Sequence, residues 1–225
     1  AFFRRPPRTV VLMPQDPGPE LWGPVDVTGW RWDSRFSHDE NMLNLAYAAS
    51  MNTVRSRRGM AGGLYGAVLC RPPRQSLEGR GTEAEVLGFG FHWPPSFVVE
   101  AGPGRKATSQ ALTGRKAKSL HSEMMVVMRC ARQGLATEGS WLYVLEPPCW
   151  ECVKALMMAG VARIVFQVPH GENDCKRQRD VVAATGAAWE CLPVSARRSA
   201  FLQRMEAEWH RKHDRLGGGS GASDR

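Results

Sequence analysis

The sequence lacks any apolar run approaching about 18 residues, the length at which a membrane-spanning helix is indicated. It has no internal repeat, and its six cysteines in 225 residues are too few for a disulfide scaffold. These absences point away from membrane, repeat and disulfide-rich secreted proteins. Hydrophobic residues make up 43% of the chain, which is enough for an ordinary core, and the length favours a single domain.

Acidic residues are also outnumbered, 22 against 30 lysines and arginines, so the formal net charge is +8. An excess of positive charge predicts an anionic partner, which could be nucleic acid, a nucleotide phosphate or an acidic protein surface. The alternative is a basic protein whose charges are simply solvated.

The first fifteen residues contain no acid and three arginines, Arg4, Arg5 and Arg8. A processed mitochondrial protein can begin in this way, so a mitochondrial location is one expectation, and a trimmed chain is the alternative. Four cysteines follow no ligand spacing and are predicted to be buried free thiols: Cys70, Cys130, Cys175 and Cys191. Free thiols indicate a reducing, intracellular compartment.

The chain divides by composition into four parts. Residues 1–35 are rich in Pro, Arg and Trp and predict an extended arm, which either lies along a partner or straps its own domain. Residues 36–193 form the predicted domain. Residues 194–216 predict a C-terminal helix whose charged second half is expected to project from the body, and 217–225 a flexible tail.

Hydrophobic periodicity predicts an α/β layered domain. A capping box at residues 37–40 predicts a helix that runs to about Val54. Five strands are predicted over residues 64–70, 84–91, 141–146, 163–168 and 188–193, and helices over 120–131, 149–160 and 174–184. The first two strands are predicted to pair as an antiparallel hairpin. The last two should be parallel, because a helical crossover joins them.

Two short motifs carry the side chains of a zinc site. His121 and Glu123 are separated by one residue, and Cys149 and Cys152 by two, with Pro148 in front. An imidazole and two thiolates are three good zinc ligands, and a catalytic zinc keeps its fourth position open. Glu123 remains beside the metal as a carboxylate that can move protons. Cys149 and Cys152 both lie at the start of a predicted helix, where unpaired backbone amides favour the thiolate form.

Each part of this pattern has another interpretation. A Cys-x-x-Cys pair can be half of a structural zinc site or a redox pair, and a single histidine more often packs or hydrogen-bonds than binds metal. A structural zinc would need a fourth protein ligand, for which His170 is the best candidate. Taken together, the two motifs are much more specific than their parts and predict a bound Zn²⁺.

On these motifs the sequence resembles the cytidine deaminase superfamily, in particular the branch of deoxycytidylate deaminases and tRNA adenosine deaminases. The resemblance covers about residues 38–192, and five segments carry it: Leu64-Tyr-Gly-Ala-Val-Leu, Val86-Leu-Gly-Phe-Gly-Phe, His121-Ser-Glu-Met, Leu142-Tyr-Val-Leu-Glu-Pro-Pro-Cys-Trp-Glu-Cys, and Ala159-Gly-Val-Ala-Arg-Ile-Val-Phe. It implies a three-layer α/β/α fold with a central five-stranded mixed sheet, and frequent homo-oligomerisation.

The resemblance also implies a mechanism and a substrate site. A zinc-activated water, with zinc held by His121, Cys149 and Cys152, would attack C4 of cytosine, and Glu123 would shuttle the protons. His92 and Trp93 stand where the family has a sugar-contacting Asn followed by Gly. The predicted substrate-binding residues are these two together with four cations of an acid-free loop before His121: Arg105, Lys106, Arg115 and Lys116. If the loop is not ordered over the site, it is a solvated charged loop.

Three functional hypotheses follow. The first is a zinc-dependent hydrolytic deaminase that converts cytosine to uracil in a nucleotide, deoxycytidylate first. The second keeps the chemistry but places the base in RNA. The third belongs to another class of protein: a deaminase-fold subunit of a ribonucleoprotein particle, such as a mitochondrial one, held by its arm and last helix.

Overall fold

A mixed β-sheet lies at the centre of the computed structural model, which describes residues 10–12, 25–56, 65–75, 82–92, 120–168 and 175–217. The strands and helices in chain order are β1 (Val10–Leu12), α1 (His38–Ser56), β2 (Gly66–Cys70), β3 (Arg74–Gln75), β4 (Thr82–Phe91), α2 (Ser122–Arg132), β5 (Trp141–Val144), α3 (Trp150–Met158), β6 (Arg163–Phe166), α4 (Lys176–Ala184), β7 (Ala188–Cys191) and α5 (Ala196–Gly217).

The five long strands lie in the order β4-β2-β5-β6-β7. β2 pairs antiparallel with both β4 and β5, whereas β5, β6 and β7 run parallel to one another. The predicted hairpin and the predicted parallel final strands are both confirmed. β1 and β3, which sequence analysis did not predict, are short additions that pair with the first residues of β4.

Alternating side chains of the strands supply two separate cores, one on each face of the sheet. On one face Val68, Tyr143 and Val165 pack against α1. On the other face Leu69, Leu142, Val144, Ile164 and Phe166 pack against side chains of α2, α3 and α4, which include Val126, Val153, Leu156 and Val182. The predicted three-layer α/β/α architecture is therefore confirmed.

The capping box at the start of α1 has its expected geometry. The Glu40 amide donates to Ser37 Oγ at 3.2 Å, and the Ser37 amide donates to a Glu40 carboxylate oxygen at 2.9 Å. The two hydrogen bonds satisfy backbone donors that a helix start would otherwise leave free, which explains why the helix begins here.

The C-terminal helix does not project from the body, so that prediction was wrong. Leu202, Met205 and Trp209 form an apolar stripe along α5 that is buried against Ala48 and Met51 of α1. Further along, Lys212 Nζ donates to a carboxylate oxygen of Asp26 at 2.9 Å. The charged residues of α5 flank this stripe and do not interrupt it, because they fall on other faces of the helix.

Residues 25–35 of the arm lie against α1 and α5. The amide of Asp26 donates to Asn52 Oδ1 at 2.9 Å, and the Trp30 indole N–H donates to the carbonyl of Asn41 at 3.2 Å. These contacts hold this part of the arm on its own domain. Most of the rest of the arm and the tail after Gly217 lie outside the described residues.

The four cysteines predicted to be buried differ in their environments. Cys70 and Cys130 are buried, whereas Cys175 is half-buried and Cys191 is exposed, so the prediction was wrong for the last two. Cys191 ends β7, the outer strand of the sheet, where a side chain has little to pack against. All six cysteines are free thiols. No helix among the described residues is long and apolar enough to cross a membrane.

Candidate metal centre and active site

The three predicted metal ligands come together between α2 and α3. His121 is the N-cap residue of α2, Cys149 is the N-cap residue of α3, and Cys152 lies in the first turn of α3. His121 Nδ1 lies 3.5 Å from each of the two sulfurs. All three ligand atoms lie within 4.8 Å of one another, and within the described residues this is the only such cluster of three or more His, Cys, Asp or Glu side chains.

These distances fit a tetrahedral zinc. With Zn–S of about 2.3 Å and Zn–N of about 2.0–2.1 Å, tetrahedral angles place a ligating nitrogen about 3.6 Å from a ligating sulfur. The observed separation of 3.5 Å therefore agrees with one ion shared by the three side chains. A three-ligand set leaves one coordination position for water or substrate. His170, the candidate for a fourth ligand, lies outside the described residues.

The helix starts fix the ligands in place. The backbone of His121 and of Cys149 is extended, at φ −70° and −65°, and each carbonyl accepts the first hydrogen bond of its helix, from Met125 and Val153 at 2.9 Å. Pro148 lies directly before Cys149. Proline is tolerated at this position because no hydrogen bond of the helix requires its missing amide N–H. Both ligands thus lie at the positive ends of helix dipoles, which favour an anionic thiolate.

The two thiols have opposite tendencies to ionise. Hydrogen bonds with Cys152 and then with His121 lower the pKa of the Cys149 thiol to about 3. The hydrogen bond with Cys149, together with burial, raises the pKa of Cys152. The cluster therefore holds one thiolate readily, and a cation between the sulfurs would favour the second.

Glu123 lies beside this cluster, in the first turn of α2. Its side chain is buried, and Ser122 Oγ donates a hydrogen bond to a carboxylate oxygen at 2.8 Å. Burial raises the pKa of Glu123, because desolvation disfavours the charged form. A carboxylate that accepts a proton this readily is suited to act first as a base and then as an acid.

The ligands and Glu123 open onto a cavity of about 170 Å³. His92, which was predicted to bind substrate, lines this cavity, and its ring centroid lies 5.4 Å from that of His121. The other predicted substrate residues, Trp93, Arg105, Lys106, Arg115 and Lys116, lie outside the described residues. The complete lining is Tyr65, Gly66, His92, His121, Ser122, Glu123, Val144, Leu145, Glu146, Pro147 and Cys149.

Sequence analysis missed several of these lining residues, among them Tyr65 and Glu146. Tyr65 immediately precedes β2 and contacts His92 edge-on, with ring centroids 5.1 Å apart. Glu146 follows the end of β5, where the chain leaves the sheet toward Cys149. Both residues lie at the same edge of the sheet as the metal ligands. Their position at the ends of predicted strands could have indicated from the sequence that they line the site.

Two glycines allow the elements of the site to approach one another. A Cβ atom on Gly90 of β4 would lie 1.9 Å from the carbonyl oxygen of Ser122, and one on Gly66 of β2 would lie 2.0 Å from the carbonyl oxygen of Ala46. Only glycine can occupy these positions without moving backbone. Gly90 therefore lets the start of α2, with His121 and Glu123, lie directly against the sheet.

Comparison with known proteins agrees with this geometry. Residues 66–168 match a family model described as "Cytidine and deoxycytidylate deaminase zinc-binding region". The chain is 32% identical over 110 residues to deoxycytidylate deaminase of Enterobacteria phage T2, covering 49% of this chain and 54% of the relative. It is 28% identical over 134 residues to deoxycytidylate deaminase of Mycobacterium phage D29, covering 59% of this chain and 96% of the relative.

Two further matches are partial or distant. ComE operon protein 2 of Bacillus subtilis (strain 168) is 32% identical over 50 residues, which are 22% of this chain and 26% of that protein. The crystal structure of dCMP deaminase from the cyanophage S-TIM5 in complex with dCMP and dUMP aligns with a TM-score of 0.49 at 18% identity, covering 73% of this chain and all of that one. The chain thus spans about a quarter of the Bacillus protein and about half of the T2 enzyme.

The layered sheet, the paired helix starts and the three converging ligands define a zinc-binding α/β domain of the deaminase type. Residues 66–168, a little under half of the chain, match the deaminase zinc-binding family model, and the similar proteins of phages T2 and T4 are deoxycytidylate deaminases, in agreement with the branch that the sequence resembles.

Proposed function

We propose that the protein is a zinc-dependent hydrolytic deaminase that acts on cytosine in a nucleotide, with deoxycytidylate as its substrate. The observation that carries this proposal is the buried Glu123 carboxylate beside three converging zinc ligands in one cavity. The names of the phage relatives, both deoxycytidylate deaminases, support the choice of substrate.

The reaction replaces the C4 amino group of cytosine with oxygen from water and releases ammonia. His121, Cys149 and Cys152 would hold a zinc ion, whose Lewis acidity would make a water nucleophilic near neutral pH. Glu123 takes a proton from that water, delivers one to N3 of the ring, and then transfers one to the departing ammonia. Its burial keeps solvent away from these transfers.

The remaining residues of the cavity hold and orient the base. Apolar side chains of Val144 and Leu145 line one side, and His92 lies next to His121 where it can hydrogen-bond a sugar hydroxyl. Ser122 holds the Glu123 carboxylate in one orientation through its 2.8 Å hydrogen bond. The protein thus fixes both the base and the group that moves its protons.

The test is ammonia release from deoxycytidylate by the zinc-loaded protein, measured together with its zinc content. Glu123→Ala should abolish turnover and keep the zinc, whereas Cys149→Ala should lose both. Asp180→Ala, on the exposed surface of α4, is the control and should retain both. A zinc-loaded protein that releases no ammonia from deoxycytidylate or from any other cytidine nucleotide would refute the proposal.

A further inference from the structure

Trp150 and Arg177 form a stacked pair next to the metal ligands. Trp150 directly follows Cys149 as the first residue of α3, and it is half-buried. The guanidinium carbon of Arg177, in the first turn of α4, lies 3.8 Å from the centroid of the indole ring. Lys154 Nζ lies 5.6 Å from the same ring.

The two cations on this ring differ in their partners. Lys154 forms an ion pair with Glu151 at 2.5 Å, so its charge is compensated. Arg177 is exposed, and within the described part of the chain it makes no ion pair within 4 Å, although Asp180 lies three residues further along α4. Lys176 and Arg179 add two more exposed cations, and the first turn of α4 contains no acid.

Stacking prepares Arg177 for an anion. A guanidinium held 3.8 Å from the centre of an indole ring loses less freedom on binding an anion than a fully solvated one does, and its N–H donors form a planar fork. This fork matches two oxygens of a phosphate or carboxylate, and it binds them more strongly than a neutral donor does. The cation–π contact is itself attractive, and it leaves the N–H donors of Arg177 able to bind an anion.

We propose that Arg177, held by Trp150, is a phosphate-binding subsite for the nucleotide whose base enters the cavity at His121. The inference rests on the proposed function, because it assigns the subsite to the same substrate. Trp150 directly follows the ligand Cys149, and α3 and α4 both begin after the carboxyl ends of the neighbouring parallel strands β5 and β6, so the pair lies at the same edge of the sheet as the metal ligands. The phosphate is either the 5′-phosphate of a mononucleotide or an internucleotide phosphate of a strand.

The experiment measures equilibrium binding by calorimetry to the zinc-loaded full chain, in a Glu123→Ala background that prevents turnover. The three ligands are deoxycytidine, deoxycytidylate, and a DNA trinucleotide with a central cytosine and no terminal phosphate. Arg177→Ala should weaken a phosphate-bearing ligand about tenfold and leave deoxycytidine unchanged, as expected for loss of a charge-assisted contact. Arg179→Ala removes the same charge from the same helix without the stacked ring, and it should change each affinity by about twofold or less.

The outcomes separate the two phosphate sources. A loss confined to deoxycytidylate identifies the 5′-phosphate, and a loss confined to the trinucleotide identifies an internucleotide phosphate. Arg177→Lys should recover only part of the affinity, because lysine keeps the charge but not the planar fork.

Three results would overturn the subsite: unchanged affinity for both phosphate ligands, an equal loss for deoxycytidine, or no measurable binding of either phosphate ligand. Failure of the proposed function looks different. The protein could bind deoxycytidylate through Arg177 and still release no ammonia when Glu123 is present. That result would support the subsite and refute the proposed deaminase activity.

Discussion

Ser122 shows how one side chain can adjust the site at the scale of a single residue. Ser122 stands between His121 and Glu123 in the first motif of the metal site. In the structure both Ser122 and Glu123 are buried, and the serine hydroxyl donates to the carboxylate. The hydroxyl therefore restricts the orientation of the group that we propose moves protons.

Replacing Ser122 with Ala removes this hydrogen bond and leaves the metal ligands in place. A single hydrogen bond contributes on the order of 1 kcal/mol, so we expect kcat on deoxycytidylate to fall about three- to tenfold while KM stays constant. Steady-state kinetics with zinc analysis of the variant checks this. In a Glu123→Gln background the same substitution should have almost no further effect, and an equal loss in both backgrounds would contradict the positioning role.

At the scale of elements, the contact between β4 and α2 sets the position of the site. A Cβ atom added to Gly90 would clash with the backbone carbonyl of Ser122. A Cβ atom added to Gly88, on the same face of the same strand, would lie 3.2 Å from the end of the Val126 side chain. A side chain can turn aside, but the backbone of a helix start cannot move without moving His121. The two glycines therefore differ in what they tolerate.

We expect Gly90→Ala to lower the free energy of unfolding by about 3 kcal/mol or more and to reduce zinc content, because α2 must shift away from the sheet. Gly88→Ala is the matched control and should cost about 1 kcal/mol, with zinc content unchanged. Urea unfolding and metal analysis of both variants provide the measurement. Equal losses at the two positions would show that the close approach to Ser122 is not decisive.

The helix α5 is joined to the domain through its apolar stripe. Trp209, 4% exposed, is the largest side chain of that stripe and packs with Leu202 and Met205 against α1. Trp209→Ala should lower the free energy of unfolding by about 3–5 kcal/mol, as for other large-to-small core changes. Gln203→Ala, at an exposed position on the same helix, should change it by less than about 0.5 kcal/mol. Chemical denaturation distinguishes this from a projecting helix, for which both changes would be small.

At the scale of the whole molecule, one ionic network ties α1 to three strands. Asp39 accepts hydrogen bonds from Tyr143 of β5 at 2.7 Å and from two guanidinium nitrogens of Arg163 of β6 at 2.8 Å. Arg163 also pairs with Glu190 of β7 and lies over the Trp141 ring at 4.5 Å. Burial would raise the pKa of Asp39, but the hydrogen bonds from Arg163 and Tyr143 outweigh it, so the pKa lies below its ordinary value of 3.8.

This lowered pKa gives a defined dependence of stability on pH. The unfolded chain protonates Asp39 near pH 3.8, and the folded protein only at lower pH. The stabilisation is therefore complete above about pH 5 and is lost as the pH falls through 3.8 toward the folded pKa. We expect Asp39→Asn to cost about 2 kcal/mol at pH 7.

Urea unfolding at pH 7 and at pH 3 measures both quantities. The variant should lose less stability than the parent between these pH values, because its residue 39 no longer titrates. Asp26 and Asp33 have lowered pKa values too, and they titrate in both proteins, so the difference between the proteins reports the network of Asp39, Arg163 and Glu190. A parent and a variant that lose the same amount would contradict the assignment.

Local features of the sequence determined much of this protein. The capping box, the apolar periodicities and the spacing of His121, Glu123, Cys149 and Cys152 predicted α1, the five long strands and the metal ligands, because each depends on residues close together in the chain. The crossover helix likewise predicted that β6 and β7 are parallel. Two-residue strands such as β3 carry too little periodicity to be predicted.

Only the tertiary structure decided which distant residues meet. That α5 lies on α1, that Gly90 admits the start of α2, and that Arg177 stacks on Trp150 depend on contacts between segments far apart in sequence, and no local pattern encodes them. The same holds for the cavity, where Tyr65 and His92 join the zinc ligands only because β2, β4 and β5 are neighbours in the sheet. Spacing along the chain identifies the ligands of a metal, whereas the packing of the sheet and helices determines what surrounds it.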